Sequence, residues 1–245
     1  MRTHTSRRQS RSAGSVAAVG AAVLDLLLPS SCAACGKLGV AVCRACLAVL
    51  ERGPVPVRPG VATLARHDGA ARQLVLAHKA QGRRELAVPL GRALGRAVPA
   101  LAEAEPDHNG TLWLVPVPSR PSAARVRGGP HVAALARWCA AELAERGESV
   151  AVAPALRLSS RARDAVGLSR AERVANLSGR MGLVPAATPG PGTPVVLLDD
   201  VVTTGATLAA CANTLARAGV RVTAALTLTA ASGPSGKPRP GEDGV

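Results

Sequence analysis

The stretch Val195-Val196-Leu197-Leu198-Asp199-Asp200-Val201-Val202-Thr203-Thr204-Gly205-Ala206-Thr207-Leu208 restricts the folds open to this chain more than any other. Its apolar run Val195–Leu198 is continuous rather than alternating. That predicts a strand covered on both faces, as in a parallel α/β sheet. An acidic pair, Asp199 and Asp200, stands at the carboxyl end of the run. The loop Thr203–Thr207 carries small side chains and one glycine, so several backbone N–H groups can converge on one anion. It opens a helix predicted over Ala206–Ala218, whose positive dipole end adds to the attraction. Two carboxylates beside a bare phosphate would repel it. They suit a ligand that also presents hydroxyls or a metal, and a sugar phosphate with a free diol meets both demands. An ordinary buried strand and turn, or a Walker B strand, is the alternative. The chain has no G-x-x-x-x-G-K-[ST] and no G-x-G-x-x-G to partner a nucleotide-binding strand.

Val195–Thr207 resembles the phosphoribosyl pyrophosphate (PRPP) signature of type I phosphoribosyltransferases. The resemblance implies that Asp199 and Asp200 accept hydrogen bonds from the ribose hydroxyls. It implies that Thr203, Thr204, Gly205, Ala206 and Thr207 hold the 5′-phosphate. The expected fold class is then α/β, a type I phosphoribosyltransferase-like parallel sheet flanked by helices, with a small N-terminal four-cysteine zinc module.

That module is read from Cys32-Ala-Ala-Cys35 and Cys43-Arg-Ala-Cys46, two C-x-x-C pairs seven residues apart. Four thiolates on two knuckles can close a tetrahedron, the geometry Zn²⁺ prefers in structural sites. Disulfides and a redox C-x-x-C are the competing readings, and a cytoplasmic chain disfavours the first. So small a module buries little core, and a metal would hold it folded. Cys139 and Cys211 fall on predicted helices and read as buried small apolar residues.

In chain order, residues 1–15 read as a disordered basic head. Residues 16–58 read as a helix, the zinc module and a linker, 59–231 as the main domain, and 232–245 as a disordered tail. The head and the apolar run Val16–Leu28 mimic a signal peptide, with a faint twin-arginine pattern at Ser6-Arg7-Arg8. Asp25 interrupts the run, which is too short to span a membrane, so it reads as an amphipathic or core helix of a cytoplasmic protein with no transmembrane segment. Gly53–Gly60, rich in proline, reads as a stiff linker. Strands are predicted at Val61–Arg66, Leu112–Val115, within Ser149–Leu158, and at Val220–Thr229. Helices are predicted at Ala70–Ala80, Arg84–Val98 and His131–Arg146. Lys79 closes the first helix, where a solvated, dipole-favoured position is the simplest expectation.

Two basic loops flank the predicted sheet. In Ser119–Pro130, Arg120, Arg125 and Arg127 can meet a pyrophosphate, because guanidinium forks suit phosphate oxygens. Ser119, Arg120 and Arg127 are the candidates taken from this loop, and an ordinary basic surface loop is the alternative. Arg157–Arg180 contains Arg173 among six arginines and reads as a lid, with a solvated basic loop or a nucleic-acid contact as the competing account. The net charge of +14 points to phosphorylated ligands or nucleic acid. With Phe and Tyr absent, stacking on bases is disfavoured.

The serial order of these motifs resembles the ComF family of competence-associated proteins. The matching positions are Cys32, Cys35, Cys43, Cys46, Lys79, Gly82, Pro116, Val117, Pro118, Arg127, Gly128, Leu168, Arg173, Asn176 and Asp199–Thr207. The resemblance implies PRPP with Mg²⁺ as ligand and structural Zn²⁺. It also implies phosphoribosyl transfer to a nitrogen acceptor, or else single-stranded DNA binding with competence and recombination proteins as partners. This chain departs from the family where Arg-Gly-Phe-Asn-Gln becomes Arg127-Gly128-Gly129-Pro130-His131, and where Asp164 replaces a Gln. Both departures fall on the pyrophosphate or acceptor side, and the ribose phosphate signature is intact.

Overall fold

The computed structural model describes residues 31–119, 129–159 and 180–231. The basic head, the Val16–Leu28 helix and the 232–245 tail expected from sequence lie outside them. The described strands are β1 (Val55–Arg58), β2 (Val61–Arg66), β3 (Leu112–Pro116), β4 (Val150–Val152), β5 (Leu156–Leu158), β6 (Met181–Leu183), β7 (Pro194–Val202) and β8 (Arg221–Ala230). The described α-helices are α1 (Arg44–Leu47), α2 (Gly69–Ala80), α3 (Ala87–Ala97), α4 (His131–Glu145) and α5 (Ala206–Ala216). Six strands make one sheet in the order β1-β2-β8-β7-β3-β4. All its pairings are parallel except β1 with β2.

β7 is the strand foreseen from the apolar run, and both its faces are covered. Val196 and Leu198 pack in a cluster with Leu74, Leu90 and Leu135 from α2, α3 and α4. Val195 and Leu197 pack on the other face with Leu208, Cys211 and Leu215 of α5. The strand continues through the acidic pair to Val202, paired with β8 as far as Ala230. Strand alternation therefore puts Asp199 on the α5 side and Asp200 on the side of α2 and α4.

The connections place a crevice beside that pair. From β3 the chain passes through α4 to β4, on one side. From β7 it passes through α5 to β8, on the other. β3 and β7 are neighbours, so the connections leave them in opposite directions and part at their carboxyl ends. Open α/β sheets bind ligands in such a crevice.

Three expectations change. The supposed linker contributes β1, an antiparallel edge strand with Pro56 inside it; an edge position tolerates the missing N–H. The single strand expected within Ser149–Leu158 is two, divided at Pro154: β4 joins the main sheet, and β5 pairs with β6. The helix expected from Arg84 opens with a 3₁₀ turn, Arg84–Leu86, before α3.

The cysteine segment packs on the same core, through Ala33, Ala34, Val42 and Leu47, and buried Leu50 is part of that core. Arg83 Nη1 donates to the Ser31 carbonyl at 2.8 Å. Arg96 bridges the end of that segment to α4, with Nη2 2.6 Å from Glu51 and Nη1 3.4 Å from buried Glu142.

α3 and α4 approach closely because Gly91 and Gly95 face α4. A Cβ at Gly91 would stand 2.5 Å from Trp138 Cβ and 2.7 Å from the Leu135 carbonyl oxygen. Gly91→Ala is therefore expected to destabilise the protein by about 1–3 kcal/mol through overpacking, read as a lower midpoint in urea unfolding. An unchanged midpoint would show that the helices have room to separate.

Candidate active site

At the crevice between β7 and β3 lies a cavity of about 490 Å³. His67, Lys79, Ser119, His131, Asp199 and Asp200 are among the residues that line it, with Thr203 and Thr207 at one end. Each comes from a different point in the chain. His67 follows β2, Lys79 ends α2, Ser119 follows β3, and His131 opens α4.

Asp200 is the centre of the constellation and is only 2 % exposed. Lys79 Nζ donates to its Oδ1 at 2.9 Å and lies 2.8 Å from Oδ2. His131 Nε2 lies 2.7 Å from the same Oδ2. Burial opposes ionisation of Asp200, but the His131 hydrogen bond and the Lys79 ammonium outweigh it and hold the carboxyl well below the usual carboxylate range. An ionised Asp200 can only accept, so His131 Nε2 carries a proton. Ser119 Oγ is 3.0 Å from the other ring nitrogen, Nδ1.

Asp199 behaves in the opposite way. Burial first, and the Asp200 charge second, push its carboxyl up to about 8. Its Oδ1 accepts the Asp200 backbone N–H at 2.8 Å. The two carboxyl groups are thus driven in opposite directions, Asp200 toward the carboxylate and Asp199 toward the acid, and are not two equivalent acceptors.

The Thr203–Thr207 loop has a partner that sequence reasoning missed. Arg58, at the end of β1, donates from Nη1 to the Thr204 carbonyl at 2.6 Å and from Nη2 to the Thr203 carbonyl at 3.1 Å. Gly205 has φ +75°, and a Cβ there would collide with the Arg58 guanidinium. Glycine is required both for the left-handed turn and for the packed arginine. With these carbonyls committed to Arg58, α5 begins at Ala206, and its first-turn amides have no partner within the helix.

Of the residues expected from sequence, the cavity gathers Asp199, Asp200, Thr203, Thr207 and Ser119. Arg120, Arg127 and Arg173 lie outside the described residues. Lys79, expected to be solvated, instead reaches the buried carboxylate. His67 was not singled out; its Nδ1 is 2.8 Å from Thr229 Oγ1, and burial, with Arg72 and Lys79 nearby, lowers its pKa. The available signal for Lys79 was its place among the positions that match the resembled family. His131 stands where the resembled family carries Gln, and that departure was visible.

The four cysteines Cys32, Cys35, Cys43 and Cys46 bring their sulfur atoms within 4.8 Å of one another. The Cys35 and Cys43 Sγ atoms are 3.6 Å apart. Thiolates at the Zn–S distance of about 2.3 Å form a tetrahedron with edges of about 3.8 Å, so the donor set fits zinc. Burial opposes ionisation of Cys32, yet hydrogen bonds from the Cys35, Cys43 and Ala34 amides bring it down to about 6. Burial and the neighbouring thiols push Cys46 up, a crowding that a dication relieves.

No family model matches the chain, and no curated protein matches it. Among solved structures it is similar to the adenine phosphoribosyltransferase of Thermoanaerobacter pseudethanolicus, with 17% identity, 58% of this chain and 72% of that chain covered, and a TM-score of 0.30. It is also similar to the adenine phosphoribosyltransferase of Rhodothermus marinus, with 16% identity, 76% and 86% covered, and a TM-score of 0.32. The fold itself is α/β, with a mostly parallel sheet flanked by helices and a four-cysteine cluster beside it. Among the described residues, no helix is long and apolar enough to cross a membrane.

The raised pKa of Asp199 has a consequence for stability. Its folded value lies above the unfolded carboxyl range, so its contribution is full below about pH 4 and is lost as pH rises through about 8. Asp199→Asn removes that dependence. Urea unfolding at a series of pH values is expected to show the variant gaining on the wild type between about pH 5 and pH 8. A constant difference would mean that Asp199 ionises normally.

Proposed function

We propose that this chain binds PRPP in the β7–β3 crevice and transfers its phosphoribosyl group to a nitrogen acceptor, a glycosyltransferase-class reaction. The observation that supports this most is the junction of an unequal acidic pair with a small-residue loop and helix start, all bordering one cavity. Asp199 and Asp200 would hold the ribose diol. Asp200 already takes three contacts from Lys79 and His131, which leaves about one of its four lone-pair sites for a hydroxyl. An Asp199 that holds its proton can both donate to a ribose hydroxyl and accept from one. Thr203, Thr204, Gly205, Ala206 and Thr207 would hold the 5′-phosphate on their amides and hydroxyls.

Arg120, Arg127 and Arg173 are the candidates for pyrophosphate. Mg²⁺ would enter with the substrate and neutralise the pyrophosphate as it leaves. The oxygens of Asp200 are too fully used to make a metal cage, so the ion would ride on the substrate. Asp200, favouring positive charge at C1, would stabilise the transition state. We assign Zn²⁺ to the four cysteines as a structural ion, and place the protein in the cytoplasm as a ComF-like phosphoribosyltransferase.

The net charge of +14 favours a second reading: a competence factor that binds single-stranded DNA during uptake, with the ribose site as sensor. Binding would go mainly to phosphates and weaken steeply with salt. A gel shift across a salt series tests it, and salt-insensitive binding would reject it.

Calorimetry with PRPP and Mg²⁺ tests the main reading. Binding heat is expected from the wild type, and Asp200→Asn is expected to weaken affinity about 10- to 100-fold, the worth of a charged hydrogen bond. No heat from the wild type rejects the proposal. Metal analysis is expected to find one zinc per chain, lost in Cys32→Ser together with stability. A metal-free chain of undiminished stability would remove the ion from the account.

A further inference from the structure

The hydrogen bonds around Asp200 have a fixed direction, and this bears on Ser119. Asp200 accepts only, so His131 Nε2–H donates to it over 2.7 Å. In a neutral ring the other nitrogen, Nδ1, then carries a lone pair. Ser119 Oγ, 3.0 Å away, can donate its only proton to that lone pair. Its own lone pairs are left to face the cavity, of whose wall it is part. Such an oxygen repels the oxygens of a pyrophosphate and attracts an N–H donor. The pyrophosphate role suggested by its place in a basic loop therefore suits Ser119 poorly.

We propose that Ser119, His131 and Asp200 form a proton relay that receives the proton of the nitrogen acceptor, with Ser119 the catalytic residue and His131 acting through it. The inference rests on the phosphoribosyl-transfer reading and supplies the base which that reading lacks. The acceptor nitrogen forms a bond to C1 as the bond from C1 to the pyrophosphate oxygen breaks, and the electron pair leaves with pyrophosphate. The nitrogen's proton passes to Ser119 Oγ while the Ser119 proton moves to His131 Nδ1. The imidazolium so formed lies against the Asp200 carboxylate, with Lys79 on that carboxylate, His78 with its ring centroid 6.0 Å away, and His67 on the same cavity wall. The same order of roles, hydroxyl to imidazole to buried carboxylate, operates in serine hydrolases on unrelated folds. Here the two ring nitrogens exchange places. The acceptor class implied is a neutral amine or ring nitrogen that bears a hydrogen.

The experiment measures PRPP-dependent pyrophosphate release by the full chain with Mg²⁺. Hydroxylamine, a small nitrogen nucleophile neutral at pH 7, serves as the probe. PRPP affinity is measured in parallel by calorimetry. Ser119→Ala and His131→Ala are each expected to slow release about 10²-fold, the lower range for a general base, with PRPP affinity close to wild type. Added imidazole is expected to restore rate to His131→Ala and not to Ser119→Ala, which a merely structural role would not produce. Ser119→Ala keeps the buried Asp200 contacts and serves if His131→Ala does not fold. Wild-type rates in Ser119→Ala overturn the relay. So does a parallel loss of PRPP affinity, which would return Ser119 to the pyrophosphate. PRPP binding by the wild type with no release of pyrophosphate overturns it as well. Failure of the wild type to bind PRPP overturns the functional reading beneath it.

Discussion

A carboxylate buried at the middle of a sheet is costly unless it is paired and hydrogen-bonded. Asp200 is such a group, and the architecture converges on it. Its own strand, β7, is central and apolar on both faces, so water reaches little of the charge. Lys79 and His131 replace that water from two separate helices. Both helices must therefore be docked on one face of the sheet before the carboxylate is satisfied. The close packing of α3 on α4 through Gly91 and Gly95 helps hold α4, and with it His131, in place. Removing either partner would leave a buried charge short of a contact, which costs more than the contact itself is worth.

The strand alternation that exposes Asp200 to these partners withholds them from Asp199. Adjacent residues of one strand face opposite layers. One layer supplies an ammonium and an imidazole; the other supplies the apolar side chains of α5 and Cys211. Environment alone drives the two carboxyl groups in opposite directions, with no difference in residue identity. A pair of titratable groups pushed apart in this way is a recurrent mark of a reactive site.

Features carried by local sequence were legible in advance. The continuous Val195–Leu198 run, the glycine-bearing loop and the helix behind it depend on neighbouring residues, and each is found where expected. The two C-x-x-C pairs were equally local. What escaped was set by long separations in sequence. Lys79 meets Asp200 across 121 positions, His131 across 69, and Arg58 reaches Thr204 across 146. No periodicity or composition reports such contacts. Val55–Arg58 was obscured for another reason: its proline, Pro56, argues against a strand, and only an edge position in a completed sheet makes it admissible. Strand order was also invisible from sequence, although it is the reversal between β3 and β7 that opens the crevice.

The central claim is that the unequal acidic pair and the Thr203–Thr207 loop together hold one ribose phosphate. A crystal structure of the full chain with ribose 5-phosphate tests it most directly. The phosphate is expected on the Thr203–Thr207 amides, the diol between Asp199 and Asp200, and Lys79 and His131 still on Asp200. A sugar phosphate bound elsewhere, or bound in the crevice with its hydroxyls turned away from both carboxyl groups, would contradict it.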